Sequence, residues 1–153
     1  MKKNIFTTVL LLSLFVFVGS PFLFGQSASA MDEILAQDSL TYGAASYLLL
    51  LAVGEIGDEA DFQEAGAMMA EKVPSFDRRS FDEPIGLGGY SFLIMQVFDR
   101  SGGLMYTIFP SPRYALRELA FLEIVQGDSY PNSDLSGERG VRILERFLQV
   151  TGA

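Results

Sequence analysis

The 153-residue chain contains no cysteine, no histidine and no tryptophan. Without Cys or His there is no Ser-His or Cys-His nucleophile, no thiolate and no imidazole metal ligand. Disulfide stapling is excluded as well, so stability has to come from an apolar core. Basic residues are scarce: 11 Lys and Arg stand against 19 Asp and Glu, a net charge of -8. That balance argues against nucleic acid and against anionic membrane surfaces, because phosphate binding needs a positive face.

The one long apolar run lies at the start. Lys2 and Lys3 precede a dense apolar stretch from Val9 to Val18, and Ala28-Ser29-Ala30 supplies the small residues of a signal-peptidase site. Residues 1–30 therefore read as an export signal, which places the chain in the periplasm or at the cell surface. Gly19-Ser20-Pro21 interrupts the run before a spanning length of about 20 residues is reached. Any membrane attachment would come only through an uncleaved signal. Residues 31–153 read as one helical repeat domain carrying nine basic and 19 acidic groups, net -10.

Within that domain, three windows share a register: Leu40 to Val53, Ile85 to Phe98 and Leu135 to Leu148. Offset by 45 residues, Gly43, Ser46 and Leu48 fall on Gly88, Ser91 and Leu93; offset by a further 50, Ile85, Leu93 and Ile94 fall on Leu135, Ile143 and Leu144. A retained apolar register at this period predicts a repeated supersecondary unit. Thr41 and Ser136 are placed as N-caps. The first window is apolar nearly all round and predicts a central helix, whereas the third, with Arg139, Arg142, Glu145 and Arg146 opposite Val141, Leu144 and Leu148, predicts an outer one. Burial should decrease from the first window to the last.

Leading helices are expected over Asp61 to Val73, ended by Pro74, and from Ser111-Pro112 through Ile124, closed by a left-handed Gly127. The first unit offers only Asp32 to Gln37. The prediction is an all-α fold of about two and a half helix-loop-helix units, at about 31–58, 59–103 and 104–153. Phe76 and Phe81 are expected to anchor the second loop in the core. Leu104 to Phe109 alternates weakly, as a short extended segment would.

Candidate chemistry is sparse. Asp82 with Glu83 and Asp134 with Glu138 are the nearest approach to the paired carboxylates that glycoside hydrolysis uses, and they read as solvated turn acids. The loop Asp128, Tyr130, Asn132, Asp134 alternates like a calcium loop, but Tyr130 and Arg139 occupy its third and twelfth positions. Gly86 to Gly89 lacks the spacing and the Lys-Ser/Thr of a nucleotide loop. Neither catalytic residues, metal nor cofactor is expected, and the chain reads as a noncatalytic protein.

Charge is unevenly spread: residues 31–110 carry net -9 and residues 111–153 net -1. Five of the nine basic groups of the mature part are arginines of the last unit. Arg113 and Arg117, and Arg139 and Arg142, are spaced to share helix faces, and as planar donors they are candidate ligands for a carboxylate or phosphate. The plain alternative is surface pairing, such as Glu138 with Arg142. Tyr106 and Phe109 beside Pro110 are candidate contacts for a protein partner.

Arg113 to Asp128, followed by Pro131-Asn132, Leu135-Ser136-Gly137-Glu138 and Ile143 to Leu148, resembles an S-layer homology repeat, with fainter echoes at 61–98 and 38–54. The resemblance implies an all-helical pseudo-threefold domain that binds cell-wall glycans at the envelope. It also implies an arginine early in each second helix, which is absent at Thr41 to Ala44, at Gly86 to Gly89 and from the matching position near Ser136. The expected function is an exported noncatalytic cell-envelope binding module recognising an anionic glycan or peptidoglycan. The alternative is a periplasmic protein-protein adaptor docking at Leu104 to Pro112.

Overall fold

A computed structural model describes residues 25–76 and 79–152. Among them are seven α-helices and no strand: α1 Gly25–Leu35, α2 Tyr42–Ala52, α3 Phe62–Lys72, α4 Leu87–Val97, α5 Leu104–Ile108, α6 Pro112–Phe121 and α7 Gly137–Thr151, with a 3-10 turn at Pro74–Phe76. The fold is all-α, as the periodicity predicts. No described helix is long and apolar enough to cross a membrane.

Helix boundaries follow from local chemistry. The Thr41 and Ser136 hydroxyls accept from Ala44 N–H and Arg139 N–H, each at 3.3 Å, and the Asp61 carboxylate accepts from Glu64 N–H at 2.7 Å. Each satisfies a backbone donor that the first turn leaves free. Pro112 opens α6, where a missing N–H costs nothing. The helix closes on Glu123 in the left-handed region (φ 58°) rather than on Gly127, and Ile124 N–H bonds back to Leu119 O at 2.9 Å. α2 and α4 end the same way, at Gly54 (φ 72°) and Asp99 (φ 46°).

Pairing gives the architecture. α1 and α2, α3 and α4, and α6 and α7 are helix-loop-helix units with connectors at 36–41, 73–86 and 122–136; the first has a full leading helix of 11 residues, not just Asp32 to Gln37, and differs only in its short connector. α2 packs on α3, α4 on α6 and α7 on α1. Each trailing helix thus lies against the leading helix of the next unit, and the third closes back on the first. α1 begins before the expected signal boundary; Ala28, Ser29 and Ala30 lie within it, while residues 1–24 fall outside the described residues.

The first two windows repeat the same local bonding at the same register. Ser46 and Ser91, both buried, donate to the carbonyls of Tyr42 and Leu87 four residues back, each at 2.8 Å. Ala45, Tyr90 and Gly140 are also equivalent by register. The Tyr90 ring lies beside Gly140, and its hydroxyl donates to Gly140 O at 3.0 Å. A tyrosine against a glycine lets α4 and α7 approach closely at this level. The first two windows are equally enclosed, and only the third is amphipathic, so burial falls in one step rather than progressively.

Two further differences are local. Leu104 to Ile108 forms a helical turn, not an extended segment, with Thr107 N–H bonded to Gly103 O at 3.0 Å. Phe76 is buried as expected, but Phe81 is exposed; what its position contributes is its carbonyl, which accepts from Gly43 N–H at 2.7 Å.

Glycine is required where units touch. A Cβ on Gly43 would lie 2.6 Å from Phe62 O, and one on Gly137 would lie 1.6 Å from Ile34 O, both backbone atoms that cannot rotate aside. Gly137→Ala is expected to lower unfolding free energy by about 2 kcal/mol or more, the overpacking cost when backbone must shift. Glu123→Gly, relieving a left-handed non-glycine residue, should raise it by about 0.5–1 kcal/mol. Chemical denaturation of both variants checks the opposite signs.

Candidate functional site

The loops of all three units gather at one end, and a groove of about 370 Å³ opens there. Tyr42, first residue of α2, and Phe76 from the second loop stack in parallel beneath it, with ring centroids 5.5 Å apart. Phe76 in turn stacks on Phe92 of α4 at 5.9 Å, so this floor is tied to the core. Arg79 and Glu83 stand on one wall, 3.7 Å apart, and Asn132 and Asp134 on another. Apolar rings at the base with amide, carboxylate and guanidinium groups above form the mixed surface that small polar ligands use.

Pro131 and Asn132 are shared with a second, larger depression of about 840 Å³. Its other side carries Arg113, Tyr114 and Arg117 from α6, with Ser129 and Tyr130 from the third loop. Together the two depressions make a trough across the junction of units two and three.

The four arginines selected from sequence divide into pairs. Arg113 and Arg117, exposed and without an ion pair among the described residues, line the larger depression. Arg139 and Arg142 lie elsewhere, bordering a small depression of about 180 Å³ with Arg146 and Gln126. Arg139 is also committed to structure, donating to Gln126 O at 3.1 Å and Asp128 O at 2.6 Å. It fastens the third loop to α7. Arg142 pairs with Glu138 at 3.3 Å, the surface pairing that the i,i+4 spacing allows.

Of the two residues proposed for a protein partner, Phe109 is exposed and Tyr106 is not. Tyr106 packs edge-on against Phe92, centroids 6.4 Å apart, and its hydroxyl accepts from Gln96 Nε2 at 2.8 Å. The helical turn at 104–108 carries it inward. The carboxylates Glu83 and Asp134 border the same groove but are exposed, so the apolar enclosure that makes a general acid is missing around them.

Sequence reasoning did not single out Arg79, Asn132 or Tyr42 as site residues. Arg79 carried a signal, since residues 31–110 hold only four basic groups. Asn132 stood out only as part of a calcium-like alternation and Tyr42 not at all, because a helix-start tyrosine is ordinary until the loops are brought together. Comparison with protein-family models, curated proteins and solved structures gives no match.

Burial pushes the Tyr42 phenol up to about 12, partly offset by the Ser46 hydroxyl, and complete enclosure pushes Tyr90 up as well. The unfolded chain releases these protons near the usual pH of about 10, whereas the folded chain retains them. Their contribution to stability is present below about pH 10 and is lost as pH rises towards 12. Urea midpoints should fall steeply over that window, less so in Tyr42→Phe; a midpoint flat to pH 12 in the parent would contradict the burial.

Proposed function

We propose that this chain is an exported, noncatalytic module that attaches to the cell envelope by binding an anionic wall glycan, and that it is a divergent S-layer homology-like domain. The cyclic packing of helix-loop-helix units supports the family reading. The trough supports the glycan reading, and the observation that carries it is the placement of Arg113 and Arg117. Neither has an ion pair among the described residues, and both lie on one helix face, beside Tyr130 and Asn132 and across Pro131 from the aromatic-floored groove.

A guanidinium fork matches carboxylate or phosphate oxygens in bidentate fashion, and two forks one turn apart suit an acidic polymer with regularly spaced groups. A protein of net charge -8 repels polyanions generally. Attraction is therefore confined to places where unpaired arginines and shape coincide, which gives selectivity. Neutral sugar faces of the same polymer have the amides and carboxylates of the adjoining groove to bond with.

Retention on purified sacculi that keep their anionic polymers is the test. Changing Arg113 and Arg117 together to alanine removes two charge-assisted contacts of about 1.5–3 kcal/mol each and should weaken binding at least tenfold. Arg142→Ala should bind as the parent does, because Arg142 already faces Glu138. Undiminished retention of the double variant would refute the proposed site.

A further inference from the structure

We propose that the exposed apolar surface made by α5 and the end of α6 is a self-association site, where two copies of this chain meet about a twofold axis. Leu104 (71% exposed), Ile108 (53%), Phe109 (62%) and Phe121 (81%) are large apolar side chains held out in solvent within one short stretch of the third unit. Leu104 and Phe121 border a common depression of about 400 Å³, together with Met105, Tyr114, Arg117 and Glu118. Ile108 and Phe109 stand outside that lining on the same short stretch; isolated apolar residues on a surface are ordinary, whereas several protruding beside a concavity mark a surface that another surface covers.

Charge selects the occupant. Residues 31–110 carry net -9, so two copies repel one another over the first two units. The third unit, near neutral from residue 111 onward, is where they approach at least electrostatic cost, and the apolar group lies at its edge. The rim of the depression carries both signs, Arg117 and Glu118. A single-sign partner such as an anionic bilayer would meet Glu118 and the acidic remainder with repulsion. A second copy turned by a twofold operation meets each arginine with a glutamate, the self-complementarity of an isologous contact. The same operation lets each protruding Phe121 enter the other copy's depression.

Sedimentation equilibrium of the full chain should give a concentration-dependent dimer. Ile108→Glu with Phe121→Asp, both at exposed positions, should raise the dimer dissociation constant tenfold or more with an unchanged circular-dichroism spectrum. Arg117→Glu should weaken the dimer, and adding Glu118→Arg should restore it, which loss of fold cannot imitate. Because the chain has no cysteine, Leu104→Cys provides a second readout: mild oxidation should cross-link two copies, whereas Asp58→Cys should not. A single-chain mass at every soluble concentration, or a dimer indifferent to these substitutions, overturns the proposal. So does a monomer that binds phosphatidylglycerol vesicles through Ile108 and Phe121, which would assign the surface to lipid.

Discussion

The backbone hydrogen bonds that join the three loops at the axis are the constraint on which the rest depends. Leu40 N–H bonds Leu135 O at 2.6 Å, Ile85 N–H bonds Leu40 O at 2.8 Å, and Gly137 N–H bonds Gln37 O at 2.9 Å. Tyr42 N–H to Glu83 O and Leu87 N–H to Ser133 O, at 2.7 and 3.0 Å, repeat one contact in successive units. Helix starts have free N–H groups, and here the neighbouring unit's loop supplies the acceptors. Backbones must come close for this, so glycine occupies positions 43, 88 and 137.

From that closure follows the location of the trough. The short first connector supplies only Ser39 to the groove, whereas the longer second and third supply most of its lining. The space between them opens over the Tyr42 and Phe76 rings, whose packing on Phe92 holds the floor in place. Arg139 contributes indirectly: by engaging two carbonyls of the third loop it positions the segment that carries Tyr130 and Asn132.

The two proposed surfaces adjoin at α6. Arg117 borders both the larger glycan-facing depression and the apolar one, so in a dimer that pairs it with Glu118 of the second copy, Arg113 is the guanidinium left to the glycan site. A twofold assembly through Phe121 would set two troughs in one particle. Two linked sites on one wall polymer raise apparent affinity through effective concentration, without any new contact. Weak individual sites then suffice for retention at an envelope.

Much of the fold was legible in the residues themselves. Caps at Thr41 and Ser136, the proline starts and stops, and the shared register of the three windows are signals carried within about a dozen residues. Such signals determine the helices and their inward faces because backbone bonding and apolar periodicity are local. Others needed the tertiary structure: the turn that buries Tyr106, the partition of four arginines into two pairs, and the placing of Arg79 and Asn132 on one groove. Each depends on which loop faces which across the ring, and that is settled by close packing between residues about 50 positions apart, to which no local pattern is sensitive.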